Sequence, residues 1–346
     1  MSPSPANALQ AAIRRIAGGD GLSAEETRAA FALVMAGEAS PAQVSALLMG
    51  LRVKGETANE VAGLVQAMRE SMVRLKADRP DELVDTCGTG GGTVHTFNIS
   101  TAAALVAAGV GLRIAKHGNR SFTTQCGSAD VLEALGIRIE VDVDTMGRSL
   151  RDAGIVFMFA PLMHPAMRHV GPVRRELMIP TVMNVVGPLA NPAMVGRQVI
   201  GVAEDRRVAL LAGALHSLGT RHAMVVHGTG MDEISPLAPT HVVEIREGRT
   251  DEWTIDPARF GYSGLVASDV AGGTPDENAK IIVGALAGDS NKAVRAAVAL
   301  NAGAALYVGG RAATFQEGVA MAEQGITNRV GLGAIERLRA AFGSKG

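Results

Sequence analysis

The chain has 346 residues, of which 47% are hydrophobic and 19% are charged, and its formal net charge is -1 at pH 7. This composition supplies a sizeable core and excludes a disordered protein. The near-neutral charge gives no broad basic surface for nucleic acid or an anionic membrane, so any cationic site has to be local. Cys87 and Cys126 are the only cysteines, too few for a disulfide framework or a cysteine-rich zinc site.

The N-terminus lacks the pattern of a secretory signal. Its first twenty residues contain Arg14, Arg15 and Asp20 and no unbroken apolar run, and no stretch is long or apolar enough to span a bilayer. We therefore expect a cytoplasmic protein that binds neither membrane nor nucleic acid.

Three capping boxes predict helices in the N-terminal part, each with a hydroxyl residue three positions before Glu or Gln and ahead of an apolar-periodic run. The pairs are Ser23 with Glu26, Ser40 with Gln43, and Thr57 with Glu60. We expect a four-helix unit over residues 1–74. Its apolar positions form buried faces or a subunit contact: Leu33, Val34, Val44, Leu47, Leu48, Val61, Leu64, Val65 and Met68.

After residue 75 the pattern changes to short β-branched runs that alternate with alanine-rich helical segments, which is typical of α/β proteins. Strands are predicted at Ile155–Phe159, 198–202 and 222–226. The predicted fold is α/β, with a small N-terminal helical domain and a larger α/β domain over 75–346 whose central sheet is flanked by helices. A proline-rich segment near 165–194 is expected to return to the helical domain.

Four glycines lie between Gly88 and Gly92, broken only by Thr89. Because glycine has no Cβ, such a run lets the backbone aim several N–H groups at an anion. The run does not match the dinucleotide fingerprint, which needs glycine where Thr93 stands, and it lacks the Gly-Lys-Ser/Thr ending of a P-loop. A tight turn is the alternative interpretation of the glycines alone.

Asn98, Ser100 and Thr101 stand where the helix AAALVAAG begins, so they add donors beside the glycine run. A second strand-to-loop junction follows at KHGNRS, residues 116–121. Because loops at the carboxyl ends of strands share one rim of a sheet, the two loops are expected to converge on a phosphate-bearing ligand. The second loop supplies charges from Lys116 and Arg120.

Asp232 and Glu233 follow the strand AMVVHG. Adjacent carboxylates at a strand end suit Mg²⁺, which bridges to substrate phosphates. An exposed acidic turn is the alternative interpretation.

Taken in order, these motifs are similar to those of the anthranilate phosphoribosyltransferase family. The matching segments are GTGG at 88–91, TFNIST at 96–101, KHGNRS at 116–121, GSADVLEALG at 127–136, FAPLMHPAM at 159–167, VRREL at 173–177, NVVGPLANP at 184–192 and MDEIS at 231–235. The resemblance implies a nucleoside phosphorylase-like phosphoribosyltransferase fold with its site between the two domains. It also implies a homodimer and transfer of a phosphoribosyl group from 5-phosphoribosyl 1-diphosphate (PRPP) to the amine of anthranilate.

The resemblance also assigns site residues. PRPP contacts fall on Gly88, Gly91, Gly92, Thr96, Asn98, Ile99, Ser100, Thr101, Lys116, His117, Gly118, Asn119, Arg120, Ser121, Phe122, Thr123, Thr124 and Ser128. Mg²⁺ contacts fall on Ser100, Asp232 and Glu233, and anthranilate contacts on Gly88, Asn119 and Arg174. Guanidinium binds carboxylate through a planar bidentate pair, which favours Arg174 for the anthranilate carboxylate.

One residue departs from the family pattern: Gly92 stands where the family loop, GTGGD, has aspartate. This removes a carboxylate near the diphosphate and bears on the metal count and the rate. We assign no general base, because the aromatic amine is already neutral at pH 7. A related transferase or nucleoside phosphorylase with another aromatic acceptor, and a non-catalytic nucleic-acid-binding paralogue, are the alternatives.

Overall fold

The computed structural model describes residues 5–121 and 125–343. Four helices come first: α1 Pro5–Ala17, α2 Ala24–Ala36, α3 Pro41–Lys54 and α4 Ala58–Ser71. All three predicted capping boxes are confirmed at the starts of α2, α3 and α4, where each hydroxyl accepts the backbone N–H three residues on.

The apolar positions predicted for these helices form a core and not an exposed face. Val34, Leu47, Leu48, Val61 and Leu64 are at most 1% exposed, and the other predicted positions pack with them. The same cluster continues into the larger sheet. The four helices therefore share their core with it.

A seven-stranded sheet forms the centre of the molecule. Its strands are β1 Val84–Gly88, β2 Ile114–Gly118, β3 Ile155–Phe159, β4 Arg197–Gly201, β5 His222–His227, β6 Thr240–Arg246 and β7 Arg249–Ile255. The order is β3-β2-β1-β4-β5-β6-β7. The first five strands are parallel, and β6 and β7 are antiparallel additions. The carboxyl ends of β1, β2 and β4 consequently lie at one rim.

Further helices follow the N-terminal four, and several of them cover the two faces of the sheet. They are α5 Ile99–Gly109, α6 Ser128–Ala134, α7 Val143–Asp152, α8 Ala160–Met163, α9 Gly171–Leu177, α10 Val208–Ser217, α11 Pro275–Ala287, α12 Lys292–Val308, α13 Phe315–Thr327 and α14 Val330–Phe342. The largest apolar cluster joins α5, α12, α13 and α14 to one face. In the described ranges, no helix is long and apolar enough to cross a membrane.

The predicted strands are observed, but the start of the predicted KHGNRS loop belongs to a strand. The strand at 155–159 is confirmed residue for residue, and those at 198–202 and 222–226 are observed within one residue of their predicted bounds. Lys116 and His117, however, belong to β2 and not to the following loop. Their backbone N–H and C=O groups continue the β2–β3 ladder, so only the residues after Gly118 form the loop.

The proline-rich segment packs against the N-terminal helices. It consists of α9 and short 3-10 turns at Pro165–His169, Val182–Asn184 and Gly187–Leu189. Val170, Val173 and Leu189 are buried in the same cluster as α2, α3 and α4. The division at residue 74 stays a prediction.

Candidate active site

The glycine loop after β1 is shaped by two glycines with left-handed backbone angles. Gly90 and Gly91 have φ angles of 71° and 87°, which residues with a Cβ rarely adopt. The loop is anchored at its start, where the Thr89 N–H donates to the Gly201 carbonyl over 2.9 Å. Among the described residues, the N–H groups of Gly91 and Gly92 have no hydrogen-bond partner. The loop therefore presents backbone donors to an anion.

The acidic segment at Asp232 and Glu233 lies against the ends of β1 and β4. The Gly90 N–H donates to Asp232 Oδ2 over 2.8 Å. A Cβ at Gly88 would lie 2.1 Å from this oxygen, and one at Gly201 would lie 1.6 Å from the Asp232 carbonyl oxygen. Gly88 and Gly201 are paired across the two strands. Glycine at both positions is what lets the acidic segment approach the sheet.

Lys116 connects β2 to the start of α5. The side chain is buried, and Nζ donates to Ser100 Oγ over 3.1 Å and to the Thr86 carbonyl. The Ser100 backbone N–H and the charge of Lys116 both act to lower the pKa of Glu233. Ser100, Lys116 and Glu233 thus form one cluster at the N-terminus of α5, where the helix dipole favours negative charge.

Three carboxyl groups lie near the cluster, and two of them, Asp85 and Glu233, are affected by the charge of the buried lysine. Asp85 is fully buried, and Asp232 and Glu233 are half-buried. Burial raises the pKa of Asp232, and burial together with the charge of Asp232 raises the pKa of Glu233. Lys116 opposes the rise at Glu233 and also at Asp85. A divalent cation beside these groups would favour their ionised forms and so oppose the effect of burial.

The donor set fits magnesium shared with a substrate. Mg²⁺ binds through one or two carboxylates, keeps several waters and takes substrate phosphates as ligands. Asp232, Glu233 and the Ser100 hydroxyl supply oxygen ligands of this kind. Over the part of the chain that the structure describes, no three His, Cys, Asp or Glu side chains are grouped to hold a metal by themselves. The residues therefore suit an ion whose coordination a phosphate completes.

The loop after Gly118 is held by α6. Arg120 forms ion pairs with Asp130 at 3.0 Å and Glu133 at 2.5 Å, and Asp130 also accepts the Ser121 N–H over 3.1 Å. The Ser128 hydroxyl donates to the Asn119 carbonyl over 3.4 Å. Arg120 would have to leave two carboxylates to meet a phosphate.

Of the same loop, Phe122, Thr123 and Thr124 lie outside the described residues. The side-chain amide N–H groups of Asn119 have no partner in the described ranges, while its Oδ1 accepts the Arg120 N–H over 2.8 Å. Asn119 therefore keeps donors for a ligand.

The first turn of α5 has fewer available donors than the sequence indicates. Asn98 Nδ2 donates to the Cys126 carbonyl over 3.2 Å, and Asn98 Oδ1 accepts from Asn278 Nδ2 over 2.9 Å. Ile99 is fully buried, and its N–H donates to the Phe97 carbonyl over 2.7 Å. The Asn98 amide thus ties α5 to its neighbours.

Three further predicted phosphate residues have structural roles. Thr96 forms an isolated β-bridge with Ala271. A Cβ at Gly118 would lie 2.1 Å from Ser128 Oγ, so this glycine allows α6 to approach. Thr101 lines a small internal cavity, and its hydroxyl has no partner among the described residues. Contact of these residues with a phosphate stays a prediction.

His117 and His164 form a buried pair whose ring centroids are 5.0 Å apart. Burial lowers the pKa of both, that of His164 to about 4, so both rings are neutral at pH 7. The backbone at Gly187 and at Ala190 acts in the opposite direction on the pKa of His117 and His164, respectively, but burial dominates. The Nε2 atom of each ring is buried without a partner in the described part of the chain. The pair therefore offers two unpartnered ring nitrogens to a ligand.

Asn191 helps to fix the position of this pair through hydrogen bonds to β1 and β2. Its Nδ2 donates to Asp85 Oδ2 over 2.7 Å and to the Ala115 carbonyl over 2.9 Å, and its Oδ1 accepts from the Ala193 N–H over 2.9 Å. Asp85 Oδ1 accepts the His117 N–H over 3.2 Å. These bonds join the proline-rich segment to β1 and β2, so they set the position of His117.

Arg174 lies on α9 and is half-buried. Burial lowers the pKa of its guanidinium, and none of the described residues forms an ion pair or hydrogen bond with its side chain. The neighbouring Arg175 is exposed. A half-buried guanidinium with no carboxylate partner is the arrangement expected of a residue that binds an anionic ligand. Arg174 has no bond to the glycine loop or to the histidine pair.

Two family models cover the chain. Residues 10–72 match the helical bundle domain of the glycosyl transferase family, and residues 80–329 match the a/b domain of that family. An anthranilate phosphoribosyltransferase from Symbiobacterium thermophilum is 46% identical over 332 residues, which cover 96% of this chain and 97% of the relative. The chain belongs to the anthranilate phosphoribosyltransferase family.

Solved structures of anthranilate phosphoribosyltransferases share the fold. The enzyme from Thermus thermophilus matches with a TM-score of 0.90 at 39% identity, over 96% of this chain and 99% of that one. The enzyme from Saccharomyces cerevisiae, solved in complex with PRPP and Mg, matches with a TM-score of 0.87 at 27% identity, over 98% of both chains. The yeast enzyme has also been solved with 4-fluoroanthranilate. The predicted family and fold class are confirmed.

Sequence reasoning missed three residues of this family member. Gly201 ends β4 as Gly88 ends β1, and its place near the end of the predicted strand 198–202 is the available signal. Asn191 lies in the matching segment NVVGPLANP, but its bond to Asp85 joins residues 106 positions apart. His164 has no partner residue nearby in the sequence, and only the fold shows its ring beside His117.

Proposed function

We propose that this protein transfers the phosphoribosyl group of PRPP to the amine of anthranilate, giving N-(5-phosphoribosyl)anthranilate and diphosphate in tryptophan biosynthesis. The observation that carries the proposal is the cluster of Gly90, Ser100, Lys116, Asp232 and Glu233 in a chain of this family. It combines phosphate donors with metal-ligand carboxylates. The yeast relative solved with PRPP and Mg supports both assignments.

The diphosphate of PRPP would lie over the glycine loop. Gly91 and Gly92 supply free N–H groups, and the N-terminus of α5 adds its dipole. Asp232, Glu233 and Ser100 would hold Mg²⁺, which when bound neutralises charge on the departing diphosphate. Breaking the C1–oxygen bond leaves that charge on diphosphate, so oriented donors stabilise it where it develops.

Anthranilate would lie on the other side of the cleft. Arg174 is suited to its carboxylate through a bidentate pair, and Asn119 has amide donors available. The neutral His117 and His164 can accept hydrogen bonds from the amine through Nε2. The amine attacks C1 with inversion as the bond from C1 to the diphosphate oxygen breaks, and its extra proton then passes to water or to the departing diphosphate. Burial keeps both rings uncharged, so neither ring places a positive charge beside the amine.

The experiment is loss of anthranilate fluorescence when PRPP and Mg²⁺ are added to the purified protein. Consumption should need all three components and should stop in excess chelator. Turnover without PRPP, or turnover that survives the chelator, would contradict the proposal. Equal turnover of another aromatic amine in place of anthranilate would favour the related-transferase alternative. The relatives named above favour neither that alternative nor a nucleic-acid-binding paralogue.

We also propose a cytoplasmic homodimer that associates through the N-terminal helices. An open groove of about 300 Å³ between α1 and α3, lined in part by Ile13, Ala42 and Ala46, supports this surface. Leu48 is core, so its replacement would unfold the helices and not test the contact. Ala46→Glu is the better variant because Ala46 is exposed. Sedimentation should show a dimer for wild type and a shift to monomer for this variant.

A further inference from the structure

Asn301 differs from the other buried residues of α12. The structure describes the whole of this helix, and its other buried residues are alanine, valine, leucine or glycine, whereas Asn301 is polar and only 3% exposed. Asparagine is a weaker helix former than alanine or leucine, and a buried amide destabilises a protein unless its polar atoms are hydrogen-bonded. A buried asparagine in the middle of this helix therefore indicates a specific partner.

The partner is the backbone of Ile234, 67 positions away along the chain. Asn301 Oδ1 accepts the Ile234 N–H over 3.0 Å, and Nδ2 donates to the Ile234 carbonyl over 2.9 Å and to the Ala297 carbonyl over 2.9 Å. The oxygen and both N–H groups of the amide are thus engaged within the protein. Ile234 is fully buried, and among the described residues no other hydrogen bond involves its N–H or its carbonyl.

The two bonds to Ile234 also act on the residue that precedes it. The Ile234 N–H belongs to the peptide group that Ile234 shares with Glu233, and the Ile234 carbonyl belongs to the peptide group that it shares with Ser235. Because each peptide group is planar, a bond to each of the two restricts the backbone angles of Ile234. The same bonds fix the orientation of the peptide plane that follows Glu233.

The acidic pair is therefore held from two directions. On the sheet side, Asp232 accepts the Gly90 N–H over 2.8 Å, and its carbonyl lies against Gly201. On the helix side, Asn301 holds the backbone immediately after Glu233. Both carboxylate residues lie between one anchor on the sheet and one anchor on α12.

We infer that Asn301 is a positioning residue for the acidic pair, which it holds beside the glycine loop through the backbone of Ile234. Because its amide is fully engaged within the protein, Asn301 acts through this segment and not by contact with a substrate. The inference rests on the proposed diphosphate site and adds the residue that holds its carboxylates in place. Replacing a residue that orients metal ligands typically lowers metal affinity or activity by about ten- to a hundredfold.

The first test is the binding of inorganic diphosphate in the presence of Mg²⁺, measured by isothermal titration calorimetry at a temperature where every protein is folded. Asn301→Leu keeps a side chain of similar size and removes all three bonds. Its affinity should be about tenfold weaker than that of wild type, a loss of about 1.4 kcal/mol. Hydrogen exchange of the Ile234 amide, which reports on the bond to Asn301 itself, should be faster in the same variant.

Asn291 provides a matched control on the same helix. It is the exposed N-cap of α12, where its side chain accepts the Val294 N–H over 2.8 Å and donates to the Asp269 carbonyl over 2.9 Å. Asn291→Leu therefore makes the same substitution and removes hydrogen bonds of α12 without changing those of Ile234. It should lower the unfolding midpoint and bind diphosphate as wild type does.

Steady-state kinetics separates positioning from a general loss of structure. In Asn301→Leu, the Mg²⁺ concentration that gives half-maximal rate should rise about tenfold and kcat should fall, because displaced carboxylates hold the ion poorly. The KM for anthranilate should be unchanged, because Arg174 lies on α9, outside this segment. Asn291→Leu should leave all three quantities as in wild type.

Three results would contradict the inference. A folded Asn301→Leu variant that binds diphosphate as wild type does would overturn it. An equal loss of affinity in Asn291→Leu would show that the stability of α12 is the cause. An equal rise in the KM for anthranilate would assign the effect to a general loss of structure.

A second variant covers the case in which Asn301→Leu does not fold. Asn301→Ala leaves space for a water that can bond the Ile234 N–H and carbonyl but is not fixed to α12. The same loss of diphosphate affinity is expected, and wild-type affinity in Asn301→Ala would overturn the inference. No diphosphate binding by wild type with Mg²⁺ would overturn the proposed function itself, and the inference with it.

Discussion

The two sides of the cleft differ in how their polar groups are satisfied. On the phosphate side, the Gly90 N–H donates to Asp232 and Lys116 donates to Ser100, while the N–H groups of Gly91 and Gly92 have no partner among the described residues. On the acceptor side, His117 Nε2, His164 Nε2 and the Arg174 guanidinium have no partner among the described residues. The side chains of the phosphate side are thus largely bonded to the protein, and those of the acceptor side are open to a ligand.

This difference indicates two routes to binding. Unpartnered buried groups destabilise the empty protein, and a complementary ligand removes that cost when it binds. The acceptor side is therefore preorganised. Compensated groups must exchange partners before they can contact a ligand, so binding on the phosphate side includes that exchange. We expect substitutions on the first side to change affinity, and those on the second to change the response to metal.

The largest effect is expected from the acidic pair. Asp232→Asn with Glu233→Gln should lower kcat by about a thousandfold, because it removes the ligands of the ion that stabilises the leaving diphosphate. The thermal unfolding midpoint should change little. Initial rates from anthranilate fluorescence and a thermal melt measure both quantities. A collapse in stability of comparable severity would show that the pair is structural and would end the contrast between the two sides.

Arg174→Ala should raise the KM for anthranilate by about ten- to a hundredfold, since a lost charge-assisted pair contributes about 1.5 to 3 kcal/mol. The KM for PRPP should be nearly unchanged. Arg175→Ala is the control, because Arg175 is exposed and adjacent. Equal weakening toward both substrates would place Arg174 outside the acceptor side.

The histidine pair predicts a loss of stability in acid. The pKa of His164 is about 4 in the folded protein against 6.5 for the ordinary group, so the unfolded chain binds more protons between these values. Stability is unaffected above pH 6.5 and falls as the pH drops through that window, by about 2 kcal/mol at pH 5.

His164→Gln should remove that part of the acid dependence, and His117, whose pKa is also lowered, should keep the rest. Urea unfolding at pH 7 and pH 5 gives the difference for each protein. His216→Gln, at an exposed position, should behave as wild type. The same acid loss in His164→Gln and in wild type would contradict a buried neutral ring.

The smallest effect is expected at Gly92. A Cβ there would lie 2.7 Å from the Gly230 carbonyl oxygen, so Gly92→Ala should cost about 1 kcal/mol by overpacking, seen as a lower unfolding midpoint. Gly284→Ala, where a Cβ meets nothing within 4 Å, should not be destabilising.

The same position also bears on metal handling. Gly92→Asp should carry the packing cost and also steepen the dependence of the rate on Mg²⁺, because it adds a carboxylate beside the diphosphate. Superimposable Mg²⁺ profiles for this variant and wild type would show that the family aspartate is not needed for metal handling here.

Local signals in the sequence predicted the fold well. Capping boxes and β-branched runs involve residues within a few positions of each other, and the corresponding helices and strands are observed. The sequence also places Asp232 at a strand end, and the structure brings it to the glycine loop, where it accepts the Gly90 N–H. The ion pairs of Arg120 with α6 were not anticipated, because a basic residue in a polar loop carries no mark of its partner. The Asp85 to Asn191 bond required the folded chain for the same reason.

The apolar cluster beneath the helical unit has a consequence for how the protein unfolds. Leu211 and Leu215 of α10 and Ile200 of β4 belong to the same buried cluster as Val61 and Leu64 of α4. A fragment containing only the four helices would leave these α4 side chains facing water. We therefore expect the helical unit and this face of the sheet to melt in one cooperative step, so that the cleft disappears as a whole and does not loosen from one edge.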